Sequence, residues 1–322
     1  MTTIYFATNR NPDRKRNPRD FGTSFNREAP HNMRYGVAHV AKNGRVRLDI
    51  AGEIMSSDPK RVKLGSNEVF ASLTASMKKG RDTLIYVHGY ATSFESAIKN
   101  GAELSRIYDK NVVVFSWPSD GSLFPILAYK NDRTDARLSA AAFARGLMRL
   151  YDFLKGINRG QECGADIHLM CHSMGNYVMR HGLQEMRRIE GYLPRMFDRI
   201  FLMAADEDYD TFERDHKLGP LHEMGNMVHV YFNSGDTALV VSDKTKQNPT
   251  RLGSRGPRSP HTVPGNVEIV DASQVVGGIM EHDYYKSEAR VIQDVTAVLG
   301  GESGDDIAGR RYVASRNSYV LT

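Results

Sequence analysis

Apolar residues in this chain come mostly in short unbroken runs rather than in alternation with polar ones. Thr83–His88, Asn111–Trp117, Ile167–His172, Ile200–Ala204, Val228–Phe232 and Val267–Val270 are runs of this kind. A strand without polar alternation is covered on both faces, which predicts a parallel sheet flanked by helices. Amphipathic stretches lie between and after the runs. Leu138, Ala141, Ala142, Phe143, Leu147, Leu150, Tyr151 and Leu154 form one apolar stripe, and Val291, Ile292, Val295, Val298 and Leu299 form another. Both read as core-facing helix surfaces without chemistry of their own.

Before about residue 80 the pattern changes. Ile4–Ala7 and the alternating Val46–Ile50 read as antiparallel edge strands, separated by a polar excursion from about 9 to 35. The expected fold class is therefore α/β: a mostly parallel central sheet with helices on both faces and an antiparallel N-terminal edge. The expected organisation is one domain over residues 1–300, decorated over about 9–80. A linker-like C-terminal tail over 301–322 follows, opened by Gly-Glu-Ser-Gly-Asp-Asp.

Composition narrows the class without naming a function. The chain has 322 residues, 40% hydrophobic and 25% charged, with a net charge of +5, as ordinary globular proteins have. Part of the positive charge comes from Arg10, Arg14, Lys15, Arg16 and Arg19, which read as a solvated loop. Acidic residues interrupt this cluster and no aromatics interleave it, so nucleic acid is not the expected partner. The two cysteines, Cys163 and Cys171, lack metal spacing and are too few for a disulfide scaffold; Cys171 reads as a free buried thiol. No signal-peptide pattern and no membrane-length apolar stretch is present, and a cytoplasmic location is the default expectation.

The chemistry is concentrated where the third of the apolar runs stops. Ile167–His172 ends at Ser173-Met174-Gly175, and a helical pattern follows. A strand that turns sharply into a helix presents a serine at its tip, beside the helix N-terminus. Serine needs a base, a group that orients the base, and donors for the developing oxyanion. On a sheet of this kind the acid and then the histidine follow the serine along the chain.

Asp236 stands after Asn233-Ser234-Gly235, at the carboxyl end of the strand closing with Phe232. It reads either as the acid or as the cap of a helix starting at Thr237. Asp206, after the strand ending near Ala204, is the alternative acid, within the cluster Asp206-Glu207-Asp208 and Asp210. His282 is the only histidine beyond the last strand, and the terminal helix follows it. For the oxyanion, the main-chain N–H groups of Tyr90, after Val87-His88-Gly89, and of Met174 are the candidates. His88 and His172 read as structural.

Together these segments resemble the α/β-hydrolase superfamily, and more narrowly a sparsely characterised bacterial branch of esterase/lipase-like enzymes. The matching text is Tyr5–Arg10, Val87–Tyr90, Phe115–Ser119, His172–Gly175, Ser234–Leu239, Arg251–Gly253 and His282–Tyr285. Cys171 departs from it, standing where the elbow pattern has glycine. The resemblance implies Ser173 as nucleophile, Asp236 as acid and His282 as base. It supplies no substrate; acyl transfer by these groups needs no cofactor and no metal, and a small ester-like molecule is the expected substrate.

A non-catalytic binding or scaffold protein on the same fold is the reading from another class. An acyltransferase, thioesterase or amidase using the same groups is the reading from the same class. The apolar stretch Gly121–Leu127 is a candidate pocket wall. Arg251, Arg255 and Arg258 read as a solvated loop or as contacts to an anionic substrate.

Overall fold

The strands that bury the most are the ones with unbroken apolar text. Phe201, Leu202 and Met203 are fully buried, as are Leu84, Tyr86, Val112 and Val114. Side chains of this size contribute about 1.5–3 kcal/mol each when fully removed from water. The computed structural model describes residues 1–322 except 15–17, 27–32, 53–57, 120–124, 158–163, 240–249 and 278–281. Cys163, Lys15, Arg16 and the Gly121–Phe124 part of the candidate pocket wall lie outside the described residues, as do the side chains of Pro125–Leu127.

The chain forms two compact units, Met1–Ile167 and His168–Thr322, where the sequence reads as one domain. In the first unit β1 (Thr2–Thr8), β2 (Arg10–Pro12), β3 (Phe21–Phe25), β4 (Arg34–Val40) and β5 (Val46–Ile50) precede α1 (Gly65–Met77). Then come β6 (Thr83–Val87), α2 (Phe94–Tyr108), β7 (Asn111–Ser116), α3 (Pro125–Leu138) and α4 (Ala140–Ile157). Sheet order is β6-β7-β1-β4-β5, with β2 and β3 as a separate ribbon. The pairs β6–β7 and β7–β1 are parallel; β1–β4 and β4–β5 are antiparallel. The antiparallel edge expected at the N-terminus is thus β4 and β5, while β1 lies inside the sheet.

Arg10 corrects the solvated-loop reading of the basic cluster. It is 1% exposed. Its guanidinium donates to Ser116 Oγ and to the carbonyls of Gly22, Ser119 and Thr92, at 2.6–3.2 Å. Burial brings its pKa down to about 10, against the raising influence of Asp132, Asp20 and Asp135. A buried guanidinium is tolerable only when its donors are met, and three of the four partners here, Thr92, Ser116 and Ser119, lie more than 80 residues away in sequence.

The second unit opens with β8 (Ile167–His172), followed by α5 (Gly175–Glu190), β9 (Phe197–Met203) and β10 (Gly225–Phe232). Next are α6 (Leu252–Arg255), β11 (Val267–Asp271), α7 (Tyr284–Ser287), α8 (Ala289–Leu299), β12 (Arg310–Val313) and β13 (Ser318–Leu321). Strands β8, β9, β10, β11 and β13 run side by side in that order, each parallel to its neighbour. Only β12–β13, at the edge, is antiparallel. Parallel pairing therefore predominates, helices alternate with the strands, and the class is α/β, as expected.

The segment after Gly300 is not a free tail. Its last residues form β12 and β13, and Arg310 anchors them. The Arg310 guanidinium makes two hydrogen bonds to Asp294 (2.7 and 2.8 Å) and one to Glu268 (2.7 Å), with its side chain buried. The polar text of 300–309 hides this, because the four-residue runs that follow are too short to stand out as strands. No helix among the described residues is long and apolar enough to cross a membrane.

Candidate active site

Ser173 follows β8 directly and sits at φ 51°, a left-handed conformation uncommon for a side-chain-bearing residue. The surroundings hold it there. Its N–H donates to Met203 O at 2.9 Å. Its carbonyl accepts from the Asp206 N–H (3.1 Å) and from Asn176 Nδ2 (3.0 Å). Asn176 Nδ2 also donates to Cys171 O at 3.1 Å. This fully buried amide braces both sides of the turn. Strain of this kind persists only where neighbouring structure over-determines it.

Met174 is the N-cap of α5, so its N–H has no acceptor within the helix. Cys171, next to the turn, is buried, and burial raises its thiol pKa well above the ordinary value. It behaves as a small apolar residue rather than a thiolate.

Asp236 and His282 come from distant loops and meet. His282 Nδ1 lies 2.6 Å from Asp236 Oδ2, and the Asp236 side chain is fully buried. The other oxygen, Oδ1, accepts from the N–H groups of Ala238 (3.1 Å) and Leu239 (3.4 Å). One oxygen of Asp236 thus faces the imidazole, while the other caps the turn that follows it. The His282 pKa is raised. Burial acts to lower it and is outweighed by the Asp236 hydrogen bond and by the charges of Asp236, Asp283 and Asp206.

Asp206, the alternative acid, is also buried, but its carboxylate faces Arg251 Nε at 3.1 Å. Arg251 reaches Asp208 as well, at 2.8 Å. Fully buried Arg251 is thus part of the framework, not a solvated-loop residue. Gly253, two residues on, shows how tight this joint is. A Cβ there would stand 2.3 Å from the Ala205 nitrogen. The rest of the acidic cluster is paired too: Glu207 with Arg180, Asp208 with Lys217, and Asp210 with Lys217 and Arg214.

His172 supports His282 from beneath. Its Nε2 lies 3.2 Å from His282 O, and the two rings are 4.7 Å apart. Burial, with the nearby charge of His282, lowers the His172 pKa to about 4, so it stays neutral where His282 titrates. Tyr284 fixes the segment from the other side. Its hydroxyl accepts from the Ala204 N–H (2.9 Å) and donates to Tyr231 O (3.0 Å). Asn176 and Tyr284 escape the sequence reading. The available signals are an amide one residue inside α5 and a tyrosine two residues after the histidine.

The contacts of Ser173 described above are all made by its backbone. Among the described residues neither Ser173 Oγ nor His282 Nε2 has a hydrogen-bond partner. Tyr90 belongs to the first unit, where the next N–H, that of Ala91 at φ 54°, donates to Asp132 at 3.4 Å. His88 in the same loop is buried and stacked on Trp117, with ring planes 9° apart. Among the described residues no group of three or more His, Cys, Asp or Glu is arranged to hold a metal ion.

A parallel-sheet α/β fold, a strained serine at a strand-to-helix turn and a carboxylate-bound histidine after the last central strand define the α/β-hydrolase class. Residues 66–300 match DUF900, described as an alpha/beta hydrolase of unknown function, and the chain belongs to that family. An uncharacterized protein of Nostoc sp., alr1448, is 27% identical over 159 residues, which are 40% of this chain. The matched stretch is 38% of that relative's own length. Among solved structures, lipase B of Aspergillus fumigatus is similar with a TM-score of 0.40 and 11% identity. That likeness covers 69% of this chain and 53% of the lipase.

Proposed function

We propose that this α/β hydrolase is a serine hydrolase acting on carboxylic esters, with Ser173 as nucleophile, His282 as base and Asp236 as the acid that orients it. The observation that carries the reading is the 2.6 Å contact between His282 Nδ1 and the buried Asp236 carboxylate. A hydrogen bond there puts the proton on Nδ1 and leaves Nε2 as the basic nitrogen. The strained turn supports the same reading, since it holds the serine beside the N-terminus of α5.

The proposed reaction has two halves. Nε2 of His282 takes the Ser173 proton as Oγ attacks the ester carbonyl carbon. The Met174 N–H stabilises the resulting oxyanion. His282 then gives the proton to the departing alcohol oxygen, leaving an acyl group on Ser173. Water, deprotonated by His282 in turn, attacks that acyl group; the carbon–Oγ bond breaks, His282 returns the proton to Ser173 Oγ, and a carboxylic acid is released. Asp236 remains ionised and stabilises the imidazolium in both halves.

Turnover of short-chain p-nitrophenyl esters tests the reading. Ser173→Ala is expected to lower kcat on the order of 10⁴–10⁶-fold, with an unchanged circular-dichroism spectrum. Equal turnover by the wild-type and variant proteins would refute it.

A further inference from the structure

The loop that carries Asp236 also walls a cavity of about 480 Å³. That volume falls within the usual range of small-molecule sites, about 300–1,000 Å³. The cavity lies at the carboxyl ends of β10 and β11, closed by the chain after α6 and by the turn between β12 and β13. Neither Ser173 nor His282 is among its lining residues.

The lining has two characters. Phe232, Ile269 and Pro257 supply an apolar wall. Arg255, Arg258 and Arg316 supply positive charge. Two of these arginines are already paired, Arg258 with Glu213 and Arg316 with Asp271 at 3.7 Å. Arg255 is exposed and has no ion pair among the described residues. Among the described residues the lining therefore carries one positive charge without an ion-pair partner, that of Arg255.

We propose that this cavity is a binding site for a small amphiphilic monoanion: one carboxylate joined to an apolar body. The carboxylate meets the Arg255 guanidinium, and the apolar part lies against Phe232, Ile269 and Pro257. The single net charge matches a monoanion better than a phosphate dianion, which would leave a charge unpaired against Asp271. The proposal does not rest on the hydrolase reading, since its residues are separate from Ser173 and His282.

Isothermal titration of the full chain with 4-phenylbutyrate, and with its neutral analogue 4-phenylbutanol, tests it. Saturable binding of the carboxylate at or below about 10 mM is expected, with the alcohol at least about 10-fold weaker. Arg255→Gln is expected to weaken carboxylate binding about 10-fold without disturbing the fold, because the side chain is exposed. Ser315→Trp, at an exposed position of the cavity rim, is expected to abolish it. No saturation by about 10 mM, equal affinity for acid and alcohol, or affinity unchanged in both Arg255→Gln and Ser315→Trp would each overturn the proposal. The last outcome would place the ligand elsewhere, the Ser173 site included.

Discussion

The carboxyl ends of β9 and β10 are each followed by a buried aspartate, and the two have different partners. Asp206 is 2% exposed and Asp236 is fully buried, so burial does not separate them. Asp206 faces Arg251, a cation that cannot give up its proton. Asp236 faces His282, a base that titrates near neutrality. The same residue type at equivalent strand ends thus serves as framework in one place and as the candidate catalytic acid in the other. What decides the role is the group the fold delivers to the carboxylate.

Substituting the two aspartates in turn should break the apparent equivalence. Asp236→Asn is expected to lower kcat by about 10³–10⁴-fold, because an amide favours the wrong imidazole tautomer and cannot stabilise the imidazolium. Ester hydrolysis under saturating substrate measures it. Asp206→Asn is expected to leave kcat within about 10-fold and to act on stability instead. Arg251 loses one charged partner and keeps Asp208, so a loss of about 1.5–3 kcal/mol in urea unfolding is expected. A result with the effects exchanged would reverse the assignment of the two carboxylates.

The pH dependence sharpens the comparison with a smaller effect. The folded state raises the His282 pKa above its ordinary value of 6.5. The contribution of imidazolium to stability is therefore full below pH 6.5 and is lost as pH rises through the folded pKa. The neutral base appears over that same rise, so kcat/KM is expected to climb with a midpoint above 6.5. In Asp236→Asn the midpoint should move down, because the largest raising influence is gone. In Asp206→Asn it should move less, since that carboxylate is the weakest of the raising charges named for His282. A flat profile between pH 5 and 8 would count against His282 as the base.

Much of this was legible in the amino-acid order. Unbroken apolar runs gave the parallel strands, since a two-face-buried strand has no room for polar residues. Ser173 stood out because a strand stops there and a helix starts. The position of Asp236 just after one strand, and of His282 between the last central strand and the terminal helix, marked them as candidates for one site. What the order did not reveal was the fate of charges. Arg10 and Arg251 read as surface residues, yet both are buried, because partners far along the chain meet their donors. Composition reports that an arginine exists, while its burial depends on a contact that only the fold creates. The β12–β13 pair was hidden in the same way. Its stability rests on Arg310 reaching Asp294 and Glu268, not on a long apolar run.

The most direct test of the central claim is the rate at which a fluorophosphonate probe modifies Ser173, followed by peptide mapping. The account predicts stoichiometric labelling at Ser173 alone in the wild-type protein, at a similar rate in Asp206→Asn, and at least about 10³-fold more slowly in Asp236→Asn. Labelling that is absent from Ser173, or that proceeds equally fast in both aspartate variants, would contradict it.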